Sequence, residues 1–545
     1  MAQRIAPDYG QQFLFPPSIE DLLPADHPAR FLREFVDELD LPDLGFVISN
    51  ATEGRPSYAP SLLLKIWLYG YYHRIRSTRK LEVACSELLP LMWLCGLLAP
   101  DHNSLWRFWR DNKKALRKVF KLSVQVAVRA GAVGLAVQAV DGTKIQSASS
   151  NATGWSREYM EKLLAALDQS LKEMELKIVE ENSQESHGGL RLPEGLAERE
   201  ALRQEIQKGL AQLDVDGRGH YHRQEPEARV MKLGENHRFA HNAQVVTDAK
   251  EGVIVACDVT RQETDHGALV PMIEQAKENV AVAESHPVTL ADTGYGGGAD
   301  LLKAKEAGYE VLAPPVEGRP AGDNPYATKN FKWDAHNQTV TCPRGVQLDY
   351  EGCCVQYEGR LNEVEQKIQR YRCRCQDCPV KAQCTKDPKG RRVEVRPHTG
   401  VVQEMRERLR TKQGGQLYSK RSTVVEPSFA RIKEHEGFRR WTVRGTENVK
   451  TQWSLVCTTM NLHVLYRKWR DSRTGGSGTS GALAAVMIKG GSLRKQLQEG
   501  LTSLQDCIGA LARTRTPHWI LALAEKITRH TRFCSLVGGE VAPGF

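Results

Sequence analysis

Three acidic residues stand in local settings unlike ordinary surface charge. Asp141 ends the apolar run in Leu135-Ala-Val-Gln-Ala-Val-Asp-Gly-Thr-Lys144, and Asp292 ends another in Pro287-Val-Thr-Leu-Ala-Asp-Thr-Gly-Tyr295. Glu426 lies in Lys420-Arg-Ser-Thr-Val-Val-Glu-Pro-Ser-Phe429. Hard carboxylate oxygens of this kind can hold two Mg²⁺ or Mn²⁺ ions about 3.5–4 Å apart, leaving positions open for water and phosphate. In such a site one aspartate bridges the pair and a further acid completes each ion's shell. One ion activates the attacking water or 3′-hydroxyl, and the other stabilises the leaving oxygen. The chemistry requires the two aspartates at the ends of neighbouring strands and the glutamate on a helix beside them.

The flanking patterns supply such elements. Val133 to Val140 reads as a buried strand that delivers Asp141 at a Gly-containing turn, and Val288 to Ala291 delivers Asp292 in the same way. That is the mouth of an α/β sheet, where ligands usually bind. Between them, strands over His241–Thr247 and Val253–Thr260, turning at Asp248–Gly252, form an antiparallel hairpin, followed by a helix from Gly267 to Val280. A helix over Ala299–Ala307 and a strand over Tyr309–Ala313 come next. Glu426 is expected at a helix start, with Pro427 at the first helical position. Lys433 then falls about two turns beyond it on the same face, where it can grip a phosphate.

Two segments interrupt this order. Leu164, Leu167, Leu171, Met174 and Ile178 alternate spacings of three and four, a coiled-coil seam. After a break at His187-Gly188-Gly189 and Pro193 come Leu202, Ile206, Leu210 and Leu213, so residues 155–215 read as an antiparallel helical hairpin inserted into the sheet. Residues 316–400 hold a cysteine cluster among turn formers, a second, β-rich insertion. There Cys375, Cys378 and Cys384, with Cys342 or Cys373 as a fourth thiolate, have a spacing that could hold structural zinc. Trp333 in this segment could wedge a flipped base, although burial in the insertion's own small core accounts for it better. Gly294-Tyr-Gly-Gly-Gly298 is glycine-rich, but no Gly-Lys-Ser/Thr follows, so ATP hydrolysis has no support. His266 reads as a helix-start residue and not as a ligand.

Residues 1–125 read as mainly helical. Arg76, Arg79 and Lys80, together with Arg107 and Arg110, could serve a helix-turn-helix-like DNA module; a helical bundle with a solvated basic face explains them as well. The 545 residues carry a formal net charge of +9, which permits a polyanionic partner without requiring one. No apolar run approaches the roughly 20 residues of a membrane span, and the polar N-terminus lacks a signal-peptide core, so a cytoplasmic protein with no membrane partner is expected. Thr474-Gly-Gly-Ser-Gly-Thr-Ser-Gly481 reads as a linker, and no role is legible in residues 471–545.

Taken in order, these motifs resemble the DDE transposases of bacterial insertion sequences, most like the IS1182 group of the IS4/IS5-like class. Val140-Asp-Gly-Thr-Lys144 is similar to the family's first-Asp motif, Ala291-Asp-Thr-Gly-Tyr295 to its second, and Val425-Glu-Pro-Ser-Phe429 with Lys433 to its Glu motif. Gly54-Arg-Pro-Ser-Tyr-Ala-Pro60 and Pro100-Asp-His-Asn-Ser104 resemble its amino-terminal domain. A Tyr-x2-Arg-x3-Glu-x6-Lys signature can be laid on Tyr418, Arg421, Glu426 and Lys433, with Arg421 to Glu426 one residue too long. The resemblance implies a mixed α/β, ribonuclease-H-like catalytic domain over residues 126–470 behind a helical DNA-binding domain over 1–125. It also implies Asp141, Asp292 and Glu426 as catalytic ligands of two Mg²⁺ or Mn²⁺ ions. The partners would be double-stranded DNA, both as terminal inverted repeats and as target, and a second copy, because synapsis of two ends calls for at least a dimer on DNA. A catalytically inactive, transposase-derived DNA-binding protein and a stand-alone structure-specific nuclease of the same fold are the competing expectations.

Overall fold

In the computed structural model, residues 18–47, 57–184, 195–282, 285–316, 324–358, 364–373, 375 and 377–473 are described. The linker and tail beyond Arg473 and the break at His187–Pro193 lie outside them.

The central sheet is built from β1 (Val137–Gln146), β2 (Arg229–Leu233), β3 (Asn236–Asp248), β4 (Ile254–Thr260), β5 (Val288–Ala291) and β6 (Val311–Leu312). The long β3 organises it. On one side β3 pairs antiparallel with β1; on the other its first part pairs with β2 and its second with β4. β1 then pairs in parallel with β5, and β5 with β6. Ala243, Val245, Val246, Ile254, Val255 and Ala256 are buried without alternation, as strands covered on both faces must be.

The helix Thr446–Arg473 supplies much of that cover. It packs on β4 and, on its other side, against the N-terminal helices Pro60–Tyr72 and Lys113–Arg129. It therefore buries Trp453, Leu455, Val456, Cys457, Leu462 and Leu465 around more than one face. Asn461 fastens the layers: its amide accepts from Ile254 N–H (2.9 Å) and donates to Ile254 O (2.9 Å) and Ser123 Oγ (3.1 Å). A paired amide in so dry a place fixes the register of helix on strand, because an unmet bond there costs about 1–3 kcal/mol. One continuous hydrophobic core runs from the N-terminal helices through the sheet. The helices Arg157–Gln184 and Leu196–Asp216 pack on each other around a separate core of Met160, Leu167, Ile206 and Leu213. A third small core, with Phe331, Val340, Tyr371, Val393 and Val395, lies in residues 331–395. Among the described residues, no helix is long and apolar enough to cross a membrane.

Several elements differ from expectation. β1 does not stop at Asp141 but continues to Gln146 through Gly142, which is extended strand and not a turn. β2 was not legible, and β6 keeps only Val311–Leu312 of the expected strand. Val424 and Val425 belong to the helix Lys420–Ala430, with Glu426 and Pro427 inside it, so Glu426 is not at a helix start. Pro427 lacks the N–H of a regular helix turn, and the chain runs on into a π-turn over Arg431–His435 that closes with Glu436 N–H on Arg431 O at 2.8 Å.

Candidate active site

The parallel register aligns Val140 with Ala291, so Asp141 and Asp292 are the next positions on adjacent strands and leave the same face. There β5 ends. Asp292 caps the following short turn, its Oδ1 accepting from Gly294 N–H at 2.8 Å. Asp141 Oδ1 accepts from Gly142 N–H at 2.7 Å. Burial pushes the Asp141 carboxyl up to about 6, with the nearby Asp292 adding to the rise and the Gly142 N–H and Arg421 opposing it. Two carboxylates crowded into a half-dry site lack positive charge.

Part of that charge comes from the helix Lys420–Ala430, which packs across β1 and β3. Arg421 Nη1 lies 3.2 Å from Asp141 Oδ2, and its Nη2 lies 3.7 Å from Glu426 Oε1. Tyr418 meets the same guanidinium, and burial, more than any charge, raises its hydroxyl pKa. Lys433 is half-buried; burial lowers its ammonium pKa and Arg439 adds to this, whereas Asp141 pulls it back up. Glu426 is the outlying member, its side chain 62% exposed. The structure thus gathers Tyr418, Arg421 and Lys433 around Asp141, with Asp292 on the neighbouring strand and Arg421 between Asp141 and Glu426.

A third aspartate, read from sequence only as the neighbour of His266, joins the strand ends. Asp265 Oδ1 accepts from Asn242 Nδ2 (2.8 Å) and Gln244 Nε2 (2.7 Å), while buried Tyr295 donates its hydroxyl to Gln244 Oε1. Gly142 makes this possible: a Cβ there would fall 2.3 Å from Gln244 Nε2 and 2.7 Å from Asp265 Oδ1. The glycine of the Asp-Gly pair, usually a turn signal, is here a clearance. Only its period-2 position opposite Gln244 could have hinted at that.

Other expected contacts are arranged differently. Arg76 is turned inward, its Nη2 donating to Glu436 O at 2.8 Å. Arg110 pairs with Asp111 at 2.7 Å, whereas Arg79, Lys80 and Arg107 are exposed. Cys375 is bonded to Cys373, and Cys342, Cys375 and Cys384 pack against the small third core. Burial raises the Cys384 thiol pKa, with Cys342 and Cys378 adding to it. Among the described residues, no three His, Cys, Asp or Glu side chains are close enough to hold a metal ion together, and this applies to the cysteine cluster as well as to the three acids. Trp333 is half-buried on the third core, 5.6 Å from the Tyr371 ring.

Residues 17–111 match the family model described as a transposase domain (DUF772), and residues 341–466 match the one described as a transposase DDE domain. The two matches indicate a DDE transposase. The second spans Glu426, Arg421 and Lys433 and begins beyond Asp141 and Asp292, so those two aspartates rest on the strand geometry. No curated protein matches the chain.

Proposed function

We propose that this protein cuts DNA at the terminal inverted repeats of an insertion sequence and joins the ends to target DNA, with Asp141, Asp292 and Glu426 as the acids of a two-metal site. The observation that carries the reading is the parallel pairing of β1 with β5, which sets Asp141 and Asp292 side by side under the helix bearing Glu426. The strand arrangement, the antiparallel strands β1 to β4 continued by the parallel β5 and β6, supports a ribonuclease-H-like catalytic domain. The intact acid set with Lys433 beside it favours an active enzyme over an inactive derivative.

The donor set fits Mg²⁺ or Mn²⁺: hard oxygens only, with Asp141 raised to about 6 by burial and by its neighbour Asp292 in spite of the Arg421 guanidinium beside it. Asp141 and Asp292 would hold the ions, with Glu426 joining them once Arg421 releases it. Bound divalent ions supply an activated oxygen nucleophile and a stabilised leaving oxygen. The chain's own residues bind and orient. Lys433 holds the phosphate beside Asp141, Arg421 turns from the carboxylates to the DNA backbone, and the exposed Arg79, Lys80 and Arg107 contribute salt-sensitive contacts. Two copies would bring two ends together. The test is incubation of purified protein with Mg²⁺ or Mn²⁺ and labelled duplexes made from the DNA flanking the gene. End-specific cleavage and strand transfer are expected, and their absence with every divalent ion would overturn the reading.

Two predictions follow from the cations. Lys433→Ala is expected to flatten the salt dependence of binding to those duplexes, the log–log slope falling by about one if a single phosphate contact is lost; an unaltered slope would make Lys433 a solvated helix charge. Because Arg421 neutralises Asp141 and Glu426, Arg421→Ala should bind Mn²⁺ about fivefold more tightly without DNA, roughly 1 kcal/mol for one partly buried pair. Calorimetric titration showing equal or weaker Mn²⁺ binding would remove that competition.

A further inference from the structure

The segment that follows the catalytic helix ends in a buried carboxylate used nowhere in the chemistry above. Glu436 is 2% exposed, and four cationic or titratable side chains converge on it from three parts of the chain. His435 Nδ1 lies 3.1 Å from its Oε1, and His463 Nε2, on the helix Thr446–Arg473, lies 3.5 Å from the same oxygen. Arg76 Nη2 and Arg74 Nε, in the connection after the helix Pro60–Tyr72, lie 3.7 and 3.9 Å from Oε2. Arg76 also donates to the Glu436 carbonyl and stacks over the Phe438 ring at 5.2 Å, and Tyr72 stacks on His463 at 3.9 Å.

The connection that delivers the arginines is under strain. Arg74 has φ 65°, a left-handed conformation that side chains adopt at a cost of about 1–2 kcal/mol. The turn closes through Ile75 N–H on Gly70 O at 2.7 Å, and it fits only because residue 70 is glycine: a Cβ there would fall 2.6 Å from Leu81 Cδ2 and 2.7 Å from Ile75 O. On the other side, Gly437 at φ 61° reverses the chain, and Phe438 N–H returns to Ile432 O at 3.0 Å. The π-turn bearing Lys433 therefore ends against the strained turn. Glu436 Oε1 meets His435 at 3.1 Å, but Glu436 Oε2, Arg76 Nε and His463 Nε2 are buried without a hydrogen bond, so the two arginines and His463 reach the carboxylate only by charge at 3.5–3.9 Å. A half-satisfied buried network gives way more readily than a closed one.

We propose that Glu436 is a positioning residue that ties the strained Arg74–Arg76 turn to the π-turn after the catalytic helix, so that the N-terminal region's state decides whether Lys433 stands beside Asp141. The proposal deepens the transposase reading and, for its DNA arm, rests on it. It gives the N-terminal helices a route to the catalytic centre through one side chain, with no DNA contact at Glu436 itself.

Two measurements on the full chain test it. In hydrogen-exchange mass spectrometry, Glu436→Gln and Arg76→Ala should each speed exchange about tenfold in peptides covering both 431–438 and 72–78, while β1 and β3 keep wild-type protection. Exchange that rises on one side only, or in neither segment, overturns the coupling. If Glu436→Gln does not fold, the exposed Arg74→Ala decides the matter by the same criterion. In binding to the flanking-DNA duplexes, Glu436→Gln should lower the salt slope by about one, and Glu436→Gln/Lys433→Ala no further than Lys433→Ala alone. Additive losses would show that Glu436 acts apart from Lys433. If the wild type binds no DNA, the transposase reading falls and the exchange arm still decides the coupling.

Discussion

Asp141→Asn is expected to slow cleavage of a DNA end by at least about 10³-fold, equivalent to roughly 4 kcal/mol of barrier, and Asp292→Asn by a similar factor. Each amide keeps the shape of the side chain and removes a metal-binding charge, so duplex binding, which depends on cations elsewhere, should be nearly intact. The metal-free fold should not suffer. Asp141 is 18% exposed and raised to about 6, above its ordinary 3.8. A group raised in the native state adds stability that is complete below its unfolded pKa and is lost as pH rises through the native one. Ionised Asp141 therefore costs the metal-free protein up to about 3 kcal/mol above pH 6, and Asp141→Asn should unfold at equal or higher temperature at pH 7.5, with less loss of stability between pH 4 and 6. Single-turnover cleavage and thermal unfolding check both halves. A rate within tenfold of wild type would remove the residue from the site.

How much of this was legible follows from what each residue's neighbours in sequence could report. The strand before Asp292 was readable because a short apolar run with turn formers behind it marks a buried strand, and Val288–Ala291 forms as read, whereas the strand of Asp141 runs on through Gly142 to Gln146. The helices expected over Gly267–Val280 and Ala299–Ala307 form as Leu269–Val280 and Gly298–Glu306. Pro427 misled. Proline before a periodic run usually opens a helix, yet here Val424 and Val425 are buried against the sheet and core, and that packing outweighs the lost backbone hydrogen bond.

What could not be read was whatever depends on approach from far along the chain. Arg76 looked like a surface cation because its partner Glu436 is distant in sequence and contributes a backbone carbonyl as well as a carboxylate. Asp265 passed only as the neighbour of His266 because its partners Asn242 and Gln244 face it only once β3 is paired with β1. The thiols between Cys342 and Cys384 had the spacing of ligands, but spacing does not report which sulfurs meet, and the structure joins Cys373 to Cys375.

Trp453→Ala should be the most damaging single change away from the acids. The indole is fully buried on the helix Thr446–Arg473, 6.0 Å from the Trp441 ring and 6.2 Å from Phe438, and its Nε1 donates to Gln244 O at 2.9 Å. Truncation leaves a cavity where three rings meet, at about 3–5 kcal/mol for a buried aromatic, and leaves a carbonyl of β3 without this donor at about 1 kcal/mol more. Against the 5–15 kcal/mol that typically holds a folded protein together, that is enough to lower the unfolding temperature by many degrees. The damage should reach the chemistry too, because the Gln244 side chain takes the Tyr295 hydroxyl and holds Asp265 beside Gly142. Trp453→Phe separates the two effects: it refills most of the space but supplies no donor to Gln244 O. Urea unfolding should place Trp453→Phe between wild type and Trp453→Ala. If Trp453→Phe matches wild type, the indole acts through volume alone and the link from this helix to Gln244 carries no energy.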